Sequence, residues 1–401
     1  MIFTALLASA GSAVSSAPRE EKVCGVYTHV LAFAPRATLD AAADAEPPFL
    51  MGKHRRVIAG TDADEGMRLA RDAGFNTLFM TIWPIWGQDW WDTPEARALV
   101  SDAVARAGEQ FDVHLGLSLF NANFCADPSR FPGALPTLQC DGTRPTWICY
   151  FDDRLWDYFI RNAVEMAKIG AEHPGKLKGI FLDPEAYGPE LYLCVCNNCV
   201  AKFNAYSSEQ MPADLVKPDS WLHARGLWEK YTVEWHGHEV RRHATALREA
   251  VDAIDPDLQL ASLLWDYPVA VGVGDPRQQY FRMLAIGLGT PRKPAWTMPE
   301  HTYYSDGDDL RRIIGVIERE IADAGAAQSV QVLPAIRLLR QPPDTLAPRG
   351  QVIRDENVPG YWMYELADLG DKTPIDFEGT LLAPAPHYID ALREMNENFR
   401  R

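Results

Sequence analysis

From about residue 25 to its end, the chain alternates short β-branched or aromatic runs with stretches of helical periodicity. That rhythm predicts a parallel sheet joined by crossover helices. Eight strands are expected: "VYTHVLAF" from Val26, "FNTLFMTIWP" from Phe75, "FDVHLGLSLF" from Phe111, "LKGIFLDPE" from Leu177, "LQLASLLWD" from Leu258, "KPAWTMPE" from Lys293, "VQVLPAIRLL" from Val330 and "GYWMYEL" from Gly360. Between them, "TDADEGMRLARDAG" reads as a helix ending at Gly74, where a left-handed C-cap suits glycine. After Asp152, Leu155, Phe159, Ala163 and Met166 recur at spacings of three and four, which is one helical face. Further helices are expected from about Trp221 to Ala253 and from about His387 to Phe399.

Eight strand and helix units in roughly 380 residues predict an α/β fold, a (β/α)8 TIM barrel whose surplus length is spent on loops. No internal repeat, low-complexity tract or linker divides the chain, so a single domain is expected. The excess lies in Trp83 to Pro94, Asn121 to Phe151 and Tyr187 to Ser220. Each stretch follows a strand and precedes a helix, the side of a barrel where active sites are built.

Composition narrows the setting. The 401 residues carry 39 Lys plus Arg against 55 Asp plus Glu, a formal charge of -16, which repels phosphate backbones and argues against a nucleic-acid partner. "MIFTALLASAGSAVSSAPRE" has a short apolar core from Ile2 to Ala10 followed by small residues, with no basic residue before it. It reads as a secretory signal over residues 1–17, leaving residues 18–401 as a secreted or periplasmic barrel. No segment reaches about 18 unbroken apolar residues, so no membrane association is expected.

The candidate chemistry centres on "GIFLDPEAYG". Residues two apart on a strand share a face, so Phe181, Asp183 and Glu185 point one way, with the acids roughly 6 to 7 Å apart by Cα. Like charges that close raise the proton affinity of one of them, which makes a neutral acid beside an anion. The plain alternative has Asp183 capping a loop and Glu185 paired with a surface cation. Glu300, on the face of Trp296 and Met298, is the first candidate for a further carboxylate, and Asp266 the second. Glu365 is opposite in phase to Trp362 and Tyr364, so only one of these sets is expected to face the barrel axis.

Aromatic residues crowd the same strand ends. Trp83, Trp86, Trp90 and Trp91 follow the second strand, and Trp147, Tyr150 and Phe151 follow the third. A flat apolar face with a polar edge suits a sugar ring. The expected sugar-binding set is Trp83, Trp86, Tyr187, Trp265, Tyr267, Trp296, Tyr303, Trp362 and Tyr364, with core packing as the competing role for part of it.

"GIFLDPE" is similar to the fourth-strand motif of the chitinase-like family 18 glycoside hydrolases, although Phe181 stands where another Asp is usual and Pro184 separates the acids. The resemblance implies Glu185 as general acid and Asp183 as its helper, and "GYWMYEL" resembles the strand that floors the sugar pocket, here with Trp362. "CVCNNCVAKF" resembles predicted barrel hydrolases that follow an acidic fourth strand with a Cys-rich loop. A third resemblance, to other retaining barrels, implies instead that Asp183 is the nucleophile and Glu300 or Asp266 the proton donor. The seventh strand offers only Arg337 and Arg340, with no carboxylate; Arg337 fits a salt bridge, or a hold on an acidic sugar.

Of seven cysteines, Cys24 is the natural unpaired one, because the rest form two triples: Cys125, Cys140, Cys149 and Cys194, Cys196, Cys199. With a fourth ligand, the second triple could hold structural zinc. In an exported chain, disulfides between the triples are the simpler expectation. His236 and His238, two apart on a helix, cannot share an ion, and together with His243 they read as ordinary helix-surface or packing residues. The sequence thus predicts a glycoside hydrolase with a carbohydrate substrate, no cofactor and no catalytic metal. The competing classes are a silent carbohydrate-binding barrel and a metal-dependent hydrolase.

Overall fold

A computed structural model describes residues 22–34, 63–82, 90–118, 131–140, 142–143, 148–183, 194–213, 215, 217–264, 276–356, 358–370 and 381–400. Nine strands run through it: β1 (Val23–His29), β2 (Thr77–Ile82), β3 (Asp112–Ser118), β4 (Leu177–Asp183), β5 (Gln259–Leu264), β6 (Ala295–Pro299), β7 (Val330–Val332), β8 (Ala335–Arg337) and β9 (Gly360–Tyr364). All pair in parallel, in the order β7-β6-β5-β4-β3-β2-β1-β9-β8.

The strands at the two ends of that order, β7 and β8, are consecutive in the chain and separated only by Leu333 and Pro334. The Leu333 N–H still donates to the Thr297 carbonyl of β6 at 2.8 Å, whereas the Pro334 carbonyl accepts from the Trp362 N–H of β9 at 3.0 Å. One predicted strand therefore changes partners midway and closes the sheet into a barrel. Proline has no N–H to lose from a ladder, which suits it to such a break. The fold is the predicted (β/α)8 barrel, with its seventh strand in two pieces.

The helices of the outer layer are α1 (Ala63–Asp72), α2 (Pro94–Ala107), α3 (Asp153–Glu172), α4 (Asn197–Ser207), α5 (Pro218–Ala224), α6 (His236–Asp252), α7 (Pro276–Leu288), α8 (Gly307–Asp323), α9 (Leu346–Asp355) and α10 (Ala385–Arg400). Gly74 sits at φ +80° just past α1, the left-handed stop expected of it. Asp152 caps α3 by accepting the Arg154 N–H at 3.0 Å, and Leu155, Phe159, Ala163 and Met166 are fully buried beneath it. The single helix expected over Trp221–Ala253 is interrupted. Gly226 adopts φ +66° after α5, and a π-helical turn over Lys230–Trp235 leads into α6.

Two hydrophobic layers result. One lies between sheet and helices; the other fills the barrel with Tyr27, Phe79, Phe181, Trp296, Met298 and Trp362 among others. The rings cross the axis where glycine leaves room: a Cβ on Gly116 would come within 2.1 Å of the Phe181 ring. Phe181 in turn meets Phe79 and Tyr27 edge-on at 5.7 and 5.9 Å. Burying an aromatic side chain of this size contributes about 1.5–3 kcal/mol, and here it pins β4, whose last residue is Asp183. Among the described residues no helix is long and apolar enough to cross a membrane.

Candidate active site

Asp183 ends β4 two residues after Phe181, so it shares the face of the strand that fills the barrel. It is only 3% exposed, and its backbone lies opposite Ser118 of β3. Glu300 follows β6 as the first residue of a 3-10 turn over Glu300–Thr302 and is half-buried. The Thr302 hydroxyl lies 3.0 Å from the Pro299 carbonyl and 2.9 Å from that of Ala335, and accepts the Ala335 N–H at 2.6 Å. That hydroxyl ties the turn carrying Glu300 to β8. Glu185, Asp266, Trp83, Trp86, Tyr187, Trp265 and Tyr267 lie outside the described residues.

An aromatic group stands beside these carboxylates at the C-terminal end of the strands. Tyr303 is 5.5 Å from Trp362 and 6.1 Å from Tyr364 by ring centroid, and Tyr27 is 5.1 Å from Tyr364. Three groups hold Tyr303 through its carbonyl: the Arg337 N–H, Gln341 Nε2 and Arg349 Nη1, at 3.1 to 3.2 Å. The Arg337 guanidinium sits over Tyr364 at 4.7 Å and faces Tyr303 at 5.9 Å, cation–π geometry at the end of β8. Of the expected sugar-binding set, Tyr303 and Tyr364 are half-buried and offer ring surface, whereas Trp362 is fully buried below them. Trp296 lies deeper, stacked on His114 at 5.1 Å. His114 is itself wholly enclosed, and burial pushes its pKa down to about 3, so it is a neutral packing group.

Two residues at this mouth depart from the sequence reading. Strict alternation would turn Glu365 away from Tyr364, but β9 ends at Tyr364. Glu365 is buried beside His29, with Oε2 3.4 Å from Nε2. Both sets, Trp362 with Tyr364 and Glu365, therefore reach the same end of the barrel. His29 ends β1 two residues after Tyr27, a position that strand alternation in "VYTHV" makes legible, although a lone histidine at a strand end carries no chemical signal by itself.

Other aromatics and histidines are structural. Trp90 and Trp91 are buried, and Trp90 Nε1 donates to Asn162 Oδ1 of α3 at 2.9 Å. Phe151 stacks on His236 at 4.4 Å, and Trp156 stacks on His243 at 4.8 Å. Burial lowers both histidines, His236 to about 3, so they are neutral, as packing residues should be. His238 stands beside Tyr206 at 5.0 Å. Near His243, Asp153 and Glu239 already meet two cations, Lys202 and Arg242. Burial raises the Asp153 pKa, but hydrogen bonds from Lys202 and Arg242 outweigh it and hold the value down to about 2.

The cysteines depart from expectation too. Cys149 does come together with Cys194, Cys196 and Cys199, yet all four carry free thiols and no disulfide joins them. Their sulfurs lie within 4.8 Å of one another, with 3.3 Å between Cys149 and Cys199 and 3.7 Å between Cys196 and Cys199. Cys125 lies outside the described residues.

With the geometry in hand, known structures supply a frame. The chain is similar to the catalytic domain of a β-amylase from Paenibacillus polymyxa at 10% identity and TM-score 0.54, covering 82% of this chain and 93% of that one. It is similar to a β-galactosidase from the psychrophilic Marinomonas ef1 at 10% identity and TM-score 0.59, covering 93% of this chain but only 58% of that longer one. A broad-specificity endoglucanase from Clostridium longisporum matches at 10% identity and TM-score 0.50, covering 95% of this chain and 97% of the other. The chain shares the barrel fold of these glycoside hydrolases. No protein-family model and no curated protein sequence matches it, so nothing in the comparisons supports the family 18 motif in particular.

Proposed function

We propose that the chain is a glycoside hydrolase that cleaves a glycosidic bond in a poly- or oligosaccharide by carboxylate catalysis. The observation that carries this reading is the placement of Asp183: a buried acid at the C-terminal end of β4, above the rings that fill the barrel, with Glu185 two residues further on. Barrel enzymes build their sites at this end of the strands.

In the proposed mechanism Glu185 donates its proton to the glycosidic oxygen as the bond to the anomeric carbon breaks. Asp183 either keeps that proton on Glu185 by like-charge repulsion or attacks the anomeric carbon itself, with Glu300 or Asp266 then supplying the proton. A water delivers the hydroxyl that completes hydrolysis in either case, and its remaining proton returns to the carboxylate that protonated the leaving group. Tyr303 and Tyr364 offer stacking surface to a sugar ring, and His29 with Glu365 borders the same mouth. Secretion remains part of this proposal, on the strength of the N-terminal pattern.

The test is a screen of purified protein against soluble poly- and oligosaccharides, with Glu185→Gln as control. Release of reducing ends that the variant abolishes supports the reading. Sugar binding without release by either protein supports a silent binding barrel, and activity abolished by chelation in the time of mixing supports a metal-dependent hydrolase.

A further inference from the structure

The cysteine cluster has a geometry that neither disulfides nor ordinary packing explains. Three of its members fall within six residues, as C-x-C-x-x-C from Cys194 to Cys199, where the chain enters α4. The fourth, Cys149, comes from the loop before α3. All four are buried: Cys149, Cys194 and Cys199 are fully enclosed and Cys196 is 4% exposed.

A tetrahedral zinc with Zn–S bonds of about 2.3 Å places its sulfurs about 3.8 Å apart, the edge of the tetrahedron. The observed separations of 3.3 and 3.7 Å lie just below that value, and every pair is inside 4.8 Å. A disulfide would tie two sulfurs and leave the other two beside it; this arrangement converges all four on one point. The surroundings favour sulfur that carries negative charge. The backbone N–H groups of Leu138 and Cys196 both donate to Cys194 Sγ at 3.4 Å, and Cys196 is the N-cap residue of α4, where the helix dipole is positive. Hydrogen bonds that do not involve the sulfurs also hold the loops. Val195 N–H donates to the Leu138 carbonyl at 2.7 Å, Cys149 N–H donates to that of Leu135 at 2.8 Å, and the Tyr231 hydroxyl donates to the Cys194 carbonyl at 2.5 Å.

We infer that Cys149, Cys194, Cys196 and Cys199 form a structural zinc site. Four soft thiolates in a tetrahedral set select zinc over hard cations such as calcium or magnesium. Each thiol gives up its proton as it coordinates, so the site loads with proton release. Four protein ligands leave no position for a water, and the ion has no part in bond cleavage. Its role is to clamp the loop after β3 to the loop after β4, the one that leaves Asp183 and carries Glu185.

The test needs no substrate. Protein purified in zinc-containing buffer without chelator, then desalted, should hold about one zinc per chain by elemental analysis. Replacement with Co2+ should give thiolate charge-transfer absorption and the intense visible bands of a tetrahedral site. Cys149→Ser and Cys199→Ser should lower the metal content, whereas Cys140→Ser, outside the cluster, should leave it unchanged. If the serine variants fail to fold, the metal content and cobalt spectrum of the unaltered chain still decide. Metal-free or iron-loaded protein, an octahedral cobalt spectrum, or a Cys149 disulfide in a non-reduced peptide map would overturn the inference. Because metal content is read independently of turnover, an inactive protein that holds zinc refutes the hydrolase reading and leaves this one standing.

Discussion

The barrel mouth and the cysteine cluster both gather reactive side chains, yet they are built in opposite ways. The mouth takes single residues from strands scattered along the chain: His29, Asp183, Arg337, and Glu365 just past β9. The cluster takes three of four sulfurs from one short loop and converges all four on one another. Acids and half-buried tyrosines gathered at the strand ends suit a site that must admit a substrate, whereas a closed set of four thiols suits one that must never let go. On the proposed reading, chemistry belongs to the strand ends and stapling to the loops after β3 and β4.

That division predicts separable phenotypes. The largest effect belongs to the mouth: Asp183→Asn should cut turnover by about 10²- to 10⁴-fold, as loss of a proton-handling partner does, while metal content and thermal midpoint hold. A drop in metal content with the same variant would dissolve the distinction. Next in size, Trp362→Ala removes a fully buried indole from the barrel interior and should cost about 3–5 kcal/mol in denaturant unfolding. A cost under about 1 kcal/mol would mean the ring is not packed as described.

A smaller effect is expected from Gly116→Ala, whose methyl would collide with the Phe181 ring. Overpacking of that kind costs about 1–3 kcal/mol, and the displaced β4 should carry Asp183 with it, so turnover should fall alongside stability. Unchanged turnover would show that β4 does not transmit the strain. The smallest effect concerns the outer face. Asp153, held down to about 2 from 3.8 by Lys202 and Arg242, contributes stability that is complete above its unfolded pKa and is lost as pH falls through its folded one. Asp153→Asn should therefore cost no more than about 1 kcal/mol at neutral pH and nothing near pH 2, with turnover unaltered. Equal costs at both pH values would remove the charge pair from the explanation.

Much of this was legible in the chain and the remainder was not, for identifiable reasons. Eight rounds of alternating pattern were enough for the barrel, and the Gly74 stop and the Asp152 cap are local signals that tertiary contacts did not override. The break at Leu333–Pro334 escaped because a continuous apolar run does not reveal a change of partners. Strand alternation places Asp183 on the barrel face of β4, and the same rule fails at Glu365, because alternation has no force once the strand has ended. Trp90 and Trp91 crowd the same strand end as Trp83 and Trp86 in the sequence; only their burial, and the bond from Trp90 to Asn162, shows them as packing. Cys149 lies 45 residues before Cys194, and its membership in the cluster depends on which loops the barrel sets side by side.

The most direct measurement compares Glu185→Gln with the unaltered protein on two substrates of the same sugar, one an ordinary glycoside and the other an aryl glycoside whose leaving group departs without protonation. If Glu185 is the proton donor, the variant should lose about 10²-fold or more on the first and far less on the second. Equal losses on both substrates, or none on either, would contradict the account.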